Sequence, residues 1–241
     1  HAEELSRYCA TVHYYPRKRS PLLLFSKDPY IVCTRDSSAL RETLLKNDHP
    51  ILMEGLHSSR LLGDPAFSGR RIILRSHNIE HDYYSALAAV ERNPLKRFYF
   101  RQEARKLERY EPLARKAAAV AAISSADARH FQDRYGNAFH LPAFHPFEKV
   151  DIKGPEEDFA FYHGNLSIGE NDQAALYLVE KVFASLPFRL IVAGGGPSAR
   201  LRSAVASHPN ITLLDKLSPE EIFRHIAAAK VNVLPTFQST G

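Results

Sequence analysis

Phe159-Ala-Phe-Tyr-His163-Gly-Asn165, Phe188-Arg-Leu-Ile-Val192-Ala-Gly194, Ile211-Thr-Leu-Leu214-Asp215 and Val231-Asn-Val-Leu234-Pro235-Thr236 share one layout, a short apolar run that gives way to a glycine or polar turn. Helical periodicity returns between the runs. Unbroken apolar runs suit strands covered on both faces, and strands alternating with amphipathic helices predict an α/β fold with a parallel sheet. Ligands of such sheets sit beyond the carboxyl ends of the strands. The polar residues gather there: His163-Gly164-Asn165, Gly194-Gly195-Gly196, Asp215-Lys216 and Pro235-Thr236.

Working outward, Pro50 to Glu54 reads as a strand closed by Gly55, and Arg71 to Arg75 as another, followed by Ser76-His-Asn-Ile-Glu-His81. Asn78 is the expected N-cap of a helix running to about residue 92, because Glu80 and Asp82 then complement its dipole and Asn93-Pro94 ends it. The next helix is expected from Leu95 to about Lys116, with Phe100, Ala104, Leu107, Tyr110 and Ala114 on one stripe. Its other face carries Arg97, Arg101, Arg105, Lys106 and Arg109. That 95–116 basic face fits a solvated exterior or a peripheral contact with anionic lipid. Ala117 to Ile123 is the following strand, and Ser124 to Asp127 open a helix that stops at Gly136. The polar stretch from Lys149 to Asp158 reads as a linker, dividing the chain into 1–148 and 149–241.

The 241 residues have ordinary globular composition, and a net charge of +5 is too small an excess to indicate a nucleic-acid partner. Two cysteines without a CxxC spacing point to a reducing, cytoplasmic setting, and no run approaches the ~20 apolar residues of a membrane span. There is no G-x-S-x-G, no P-loop and no D-x-D. His77-x-x-Glu80-His81 has the spacing of an inverted zinc motif, but His77 precedes the expected helix, so the two imidazoles would not share a helical face and no metal is expected. Gly194-x-Gly196-x-x-Ala199, with Asp215 about one βα unit later, leaves open a dinucleotide-binding oxidoreductase in which Asp215 takes the ribose. A non-catalytic nucleotide- or sugar-binding module is also open.

The ordered set of segments resembles the group 1 (family 4) glycosyltransferases: a strand ending in His77-Asn78, Ala-Val-Ala-Ala-Ile-Ser124, a Leu-Pro turn, a strand ending in Gly164-Asn165, Leu-Ile-Val-Ala-Gly-Gly-Gly-Pro197, Asn-Ile-Thr-Leu-Leu-Asp215 and Val-Asn-Val-Leu-Pro-Thr236. The resemblance covers about residues 51–241. It implies a GT-B architecture of two Rossmann-like domains, and metal-independent, retaining transfer of a sugar from a nucleoside-diphosphate-sugar to a glycan or lipid-linked acceptor, with no other cofactor. It implies a catalytic-side role for His77, donor contacts at Gly164, Asn165, Ser167, Gly194, Gly195, Gly196, Lys216, Leu217, Pro235, Thr236, Thr240 and Gly241, and acceptor-side roles for Glu54, Gly55 and His57. Contact through the basic 95–116 face would place the protein peripherally at the inner membrane surface.

The chain departs from that pattern in three places. Gly164-Asn-Leu-Ser-Ile-Gly-Glu170 lacks the Arg and Lys that neutralise the diphosphate, which shifts the expected contacts to backbone donors and Ser167. No Glu stands near Thr240, where an E-x7-E motif should begin, and no glycine-rich loop is evident before the Tyr8–Tyr15 region. The expectation is a chain truncated at both ends, and so an inactive portion of an enzyme.

Overall fold

The computed structural model describes residues 2–91, 93–145 and 157–237. The chain divides into two compact units, the first ending at Phe144 and the second beginning at His145. The first unit opens with short helices α1 (Ala2–Leu5), α2 (Tyr30–Cys33) and α3 (Ser38–Leu44). Its sheet comprises β1 (Ile51–Glu54), β2 (Ile72–Ser76), β3 (Ala119–Ala122) and β4 (Ala138–His140), all parallel and in the order β1-β2-β3-β4. Helices α4 (Glu80–Val90), α5 (Pro94–Tyr110) and α6 (Ser125–Tyr135) connect the last three strands. The core joins Ile72, Leu74 and Val120 of the sheet to Leu107 and Phe131 of the helices, each at most 2% exposed.

The second unit runs β5 (Glu157–His163), α7 (Gly169–Tyr177, continued by a π-turn over Leu178–Phe183), β6 (Arg189–Ala193), α8 (Ala199–Ala206), β7 (Ile211–Leu214), α9 (Pro219–Ala228) and β8 (Ala229–Asn232). Its parallel sheet has the order β7-β6-β5-β8. The period of two along β5 sends Ala160 and Tyr162 into a cluster with α7 and α8, while Phe159 and Phe161 enter a separate cluster beneath α9. Both faces are thus covered, which accounts for the uninterrupted apolar runs.

Several local expectations are corrected. Ile79, not Asn78, occupies the N-cap position of α4, and no side chain caps that helix. The helix expected through Lys116 is α-helical only to Tyr110 and continues as a 3-10 segment over Glu111–Lys116, where Pro112 has no amide hydrogen to give. Lys106 does not belong to the outer basic face: its ammonium donates to Glu103 Oε1 and to the Leu24 carbonyl, both at 2.8 Å. β4 was not foreseen, because three residues against one neighbour give little pattern. β8 begins two residues earlier than the apolar run suggests, since α9 leads into it without a loop; the Val233 amide still donates to the Phe161 carbonyl at 2.9 Å. Among the described residues no helix is long and apolar enough to cross a membrane. The expected linker lies largely outside the described residues.

Candidate functional site

Because the four strands of the second unit are parallel, their carboxyl ends share one edge of the sheet, and the strand order lines up the turns that follow them. From β7 to β8 the edge presents Asp215–Leu217, Gly194–Gly196, Gly164–Ser167 and Pro235–Thr236. The chain steps from β5 to β6 to β7 in one direction and then returns to place β8 on the other side of β5. The topological switch point therefore lies between β5 and β8, with His163-Gly164-Asn165 on one side and Val233 to Thr236 on the other, and open α/β sheets bind ligands at such points.

The two central turns are locked together. Gly194 has φ +154°, and a Cβ there would stand 1.8 Å from the Gly164 carbonyl oxygen. Gly196 has φ +75°, and its Cβ would meet Ser167 Cβ at 2.9 Å. Gly195 is different, with Asp215 Oδ1 the nearest atom at 3.9 Å. The Ser167 amide donates to the Gly195 carbonyl and to Asn165 Oδ1, both at 3.1 Å, while the Ser167 hydroxyl donates to the same Asn165 oxygen at 2.6 Å. Two of the glycines thus serve close packing of turn on turn, a demand that the sequence spacing does not distinguish from ligand approach.

Neighbouring charges are largely internal to the unit. Asp172, in the first turn of α7, accepts from the Ser198 amide at 2.9 Å, and the Ser198 hydroxyl accepts from the Leu201 amide to cap α8. Asp215 receives Arg202 Nη2 at 3.0 Å. That pairing sets Asp215 against an arginine rather than leaving it open for a ribose hydroxyl. Lys216 holds φ +59°, the left-handed region, at the exposed end of β7, whereas Leu217 turns inward under α9. His163 stacks on Phe161 at 5.6 Å between ring centroids. Thr240 and Gly241 lie outside the described residues.

In the first unit the structure brings together four of the remaining candidates. β1 and β2 pair with Glu54 opposite Arg75, and the strand period puts His77 on the same side as Arg75. His77 Nε2 lies 2.6 Å from Glu54 Oε2, and Arg75 Nη1 lies 3.6 Å from Glu54 Oε1. Gly55, at φ +79°, admits the His57 ring over its α-carbon; a Cβ would meet that ring at 2.4 Å. His57 Nδ1 in turn lies 3.8 Å from Glu80 Oε1, whose residue is buried. Arg75 and Glu80 were missed as site residues, although aligning the two strands by their apolar runs would have found Arg75.

His81 turns away from this group. Its Nδ1 lies 3.0 Å from Glu111 Oε2, an ion pair without hydrogen-bond alignment, and His130 Nε2 and the Tyr135 hydroxyl reach Glu111 Oε1 at 2.9 and 2.8 Å. Burial works to raise the Glu111 pKa, yet its contacts with His81, His130 and Tyr135 hold it down at about 2. The Glu111 carboxylate raises the His81 pKa, against partial burial. His77 and His81 therefore have separate partners, and no sequence spacing announces the Glu111 cluster, whose members come from α4, the 3-10 segment after α5, and α6.

No protein-family model and no curated protein matches this sequence. Among solved structures, the chain is similar to sucrose-phosphate synthase from Thermosynechococcus elongatus, with 15% identity and a TM-score of 0.58 over 84% of this chain and 54% of that one. It is also similar to a UDP-forming α,α-trehalose-phosphate synthase from Burkholderia xenovorans, with 11% identity and a TM-score of 0.50 over 84% of this chain and 57% of that one. The chain spans little more than half the length of either. At these identities the likeness is one of fold: α/β, in two Rossmann-like units whose parallel sheets are flanked by helices, as in GT-B glycosyltransferases.

Proposed function

We propose that this chain is part of a retaining glycosyltransferase of group 1 (family 4), moving a hexose from a nucleoside-diphosphate-sugar to a glycan or lipid-linked acceptor. The observation that carries the proposal is the alignment of four candidate turns along one carboxyl edge, with the switch point at His163-Gly164-Asn165 and Val233 to Thr236. The donor nucleotide would be held at that edge, with the Lys216 ammonium as its exposed cation and Gly195, which has room above its α-carbon, as the point of closest backbone approach. Departure of the nucleotide builds negative charge on the diphosphate, which helix N-terminal amides and a cation stabilise.

In the first unit, His77 would act on hydroxyls of the reacting sugars. Glu54 at 2.6 Å fixes its ring and favours a proton on Nε2. Calorimetric titration with UDP, GDP and ADP tests the donor half directly. One of them should bind with a dissociation constant in the micromolar to millimolar range, and Lys216→Ala should weaken it. Absence of binding by all three would overturn the reading. An oxidoreductase would instead enhance NADH fluorescence, and the Arg202–Asp215 pair argues against it.

A further inference from the structure

Arg17-Lys-Arg-Ser-Pro-Leu-Leu-Leu-Phe-Ser-Lys27 has cations on both sides of an apolar run, and no acid occurs anywhere from Leu5 to Lys27. The run forms a 3-10 turn over Pro21–Phe25 whose first turn is capped by the Ser20 hydroxyl. Leu22 is 76% exposed and Phe25 86%. The turn is nevertheless anchored: Lys106 donates to the Leu24 carbonyl at 2.8 Å, and the Asp28 amide donates to the Ser26 hydroxyl at 3.2 Å. A fixed turn that holds Leu22 and Phe25 in solvent calls for a partner that covers them.

Beside the turn lies a cavity of about 440 Å³ lined by Arg17, Lys18, Arg19, Tyr30, Arg35 and Tyr99. The Lys18 amide donates to the Thr34 carbonyl at 2.9 Å, which fixes the basic segment against α2, and Arg35 Nη1 donates to the Ile31 carbonyl at 2.7 Å. Asp36 neutralises Lys18 at 3.0 Å. The nearby Glu103 is taken by Lys106 and by the Tyr30 amide at 2.6 Å. Arg17, Arg19 and Arg35 therefore crowd one groove whose lining contains no carboxylate. Burial and the charge of Arg17 both lower the Arg35 pKa, while Tyr84 and Glu80 act more weakly in the other direction. An anion in the groove would relieve that crowding.

The turn and the groove share one stripe of α5. Leu95, Tyr99, Glu103 and Lys106 recur at helical spacing and span roughly 17 Å of axis. Leu95, at one end, is 79% exposed. An exposed apolar side chain, a cationic groove and an exposed apolar turn thus follow each other along a line. Arg97, Arg101 and Arg105 leave α5 on the opposite side, so this is not the face that charge counting along the helix selects.

We propose that this face docks on an anionic phospholipid bilayer, with Leu22 and Phe25 entering the interfacial region and the Arg17–Arg19–Arg35 groove receiving lipid phosphate. A soluble phosphate would satisfy the groove but leave the apolar turn uncovered; an anionic bilayer satisfies both. The proposal is independent of glycosyl transfer and holds or fails without it. It is tested by co-sedimentation of the chain with vesicles of phosphatidylcholine, alone and with phosphatidylglycerol added. Binding is expected only to the second, decreasing with salt. Arg17→Gln with Arg19→Gln should weaken it about fivefold per cation removed, and Leu22→Ser with Phe25→Ser should weaken it at least tenfold. All four side chains are exposed or groove-lining rather than core, and the far-UV circular dichroism spectrum of each variant is compared with wild type as the control for folding. Arg101→Gln with Arg105→Gln should have the smaller effect. Absence of sedimentation, equal binding to both vesicles, or either double variant binding as wild type would overturn the proposal. So would a pyrophosphate isotherm, followed by phosphorus NMR, with no vesicle binding.

Discussion

Replacing Gly194 with alanine separates packing from ligand approach in the glycine turn after β6. The added methyl would sit 1.8 Å from the Gly164 carbonyl oxygen and 3.0 Å from Leu166 Cγ, so the backbone must open by about 1.5 Å to restore van der Waals contact. Overpacking of this kind costs roughly 1–3 kcal/mol. The opening also strains the bonds from the Gly164 amide to the Ala193 carbonyl and from the Ser167 amide to the Gly195 carbonyl, each 3.1 Å, at about 1 kcal/mol each. The expected loss is roughly 3–5 kcal/mol. Gly195→Ala meets only Asp215 Oδ1, at 3.9 Å, and should lose less than about 1 kcal/mol. Urea unfolding of the two variants, with hydrogen exchange at the Val192 and Ala193 amides to localise the effect, distinguishes them. If Gly194→Ala unfolds at the wild-type midpoint, the turn-on-turn account is wrong. If Gly195→Ala keeps full stability but loses nucleotide affinity, the two adjacent glycines have divided the structural and binding roles.

The remaining predictions concern other parts of the molecule. Glu54→Gln and His77→Ala should each change stability by less than about 0.5 kcal/mol, because the pair is near half exposed, yet lower glycosyl transfer by about a hundredfold or more; equal rates in a steady-state assay would remove both residues from the mechanism. Glu103→Ala leaves the largely buried Lys106 ammonium without its counter-charge, with only the Leu24 carbonyl to accept from it, and the Tyr30 amide without its acceptor; it should cost about 3–5 kcal/mol in thermal or urea denaturation, whereas Arg101→Ala should be nearly silent. Ser218→Ala removes the capping box of α9 and should lower protection of the first turn of that helix by about 1 kcal/mol in hydrogen exchange. The Glu111 cluster predicts a bounded stability optimum. Glu111 titrates near 2 when folded, so its contribution, of order 3 kcal/mol, is complete above the ordinary carboxylate range and is lost as pH falls toward 2. His81 is raised, so its contribution is complete below the ordinary histidine range and is lost as pH rises through the folded-state value. Glu111→Gln should flatten both limbs of a stability–pH profile; an unchanged profile would refute this assignment.

How much of this was legible follows from which forces leave a linear pattern. Strands covered on both faces must be apolar throughout, so β5, β6 and β7 stood out, and the switch from strand to helix marked the turns at their carboxyl ends. β4 and the 3-10 turns at Pro21–Phe25 and Leu56–Gly63 left no such trace, because three paired residues or one tight turn bury too little to impose a period. The candidate residues were found as separate segments, but what they do depends on pairing that crosses the sequence. Glu54 and His77 were assigned different roles, and the register of β1 against β2 makes them one hydrogen-bonded pair. Gly194 and Gly196 carried the spacing of a dinucleotide turn, yet their neighbours are Gly164 and Ser167. Lys106 was counted with the outward arginines because helical spacing assigns a face but not a partner, and the partner, Glu103, is an acid that lies three residues away on the same helix. A flexible side chain of that length reaches across the helical surface to the charge that burial makes most costly to leave alone. A basic residue on a helix is therefore solvated only if no buried carboxylate lies within its reach, and this condition separates Lys106 from Arg101 and Arg105.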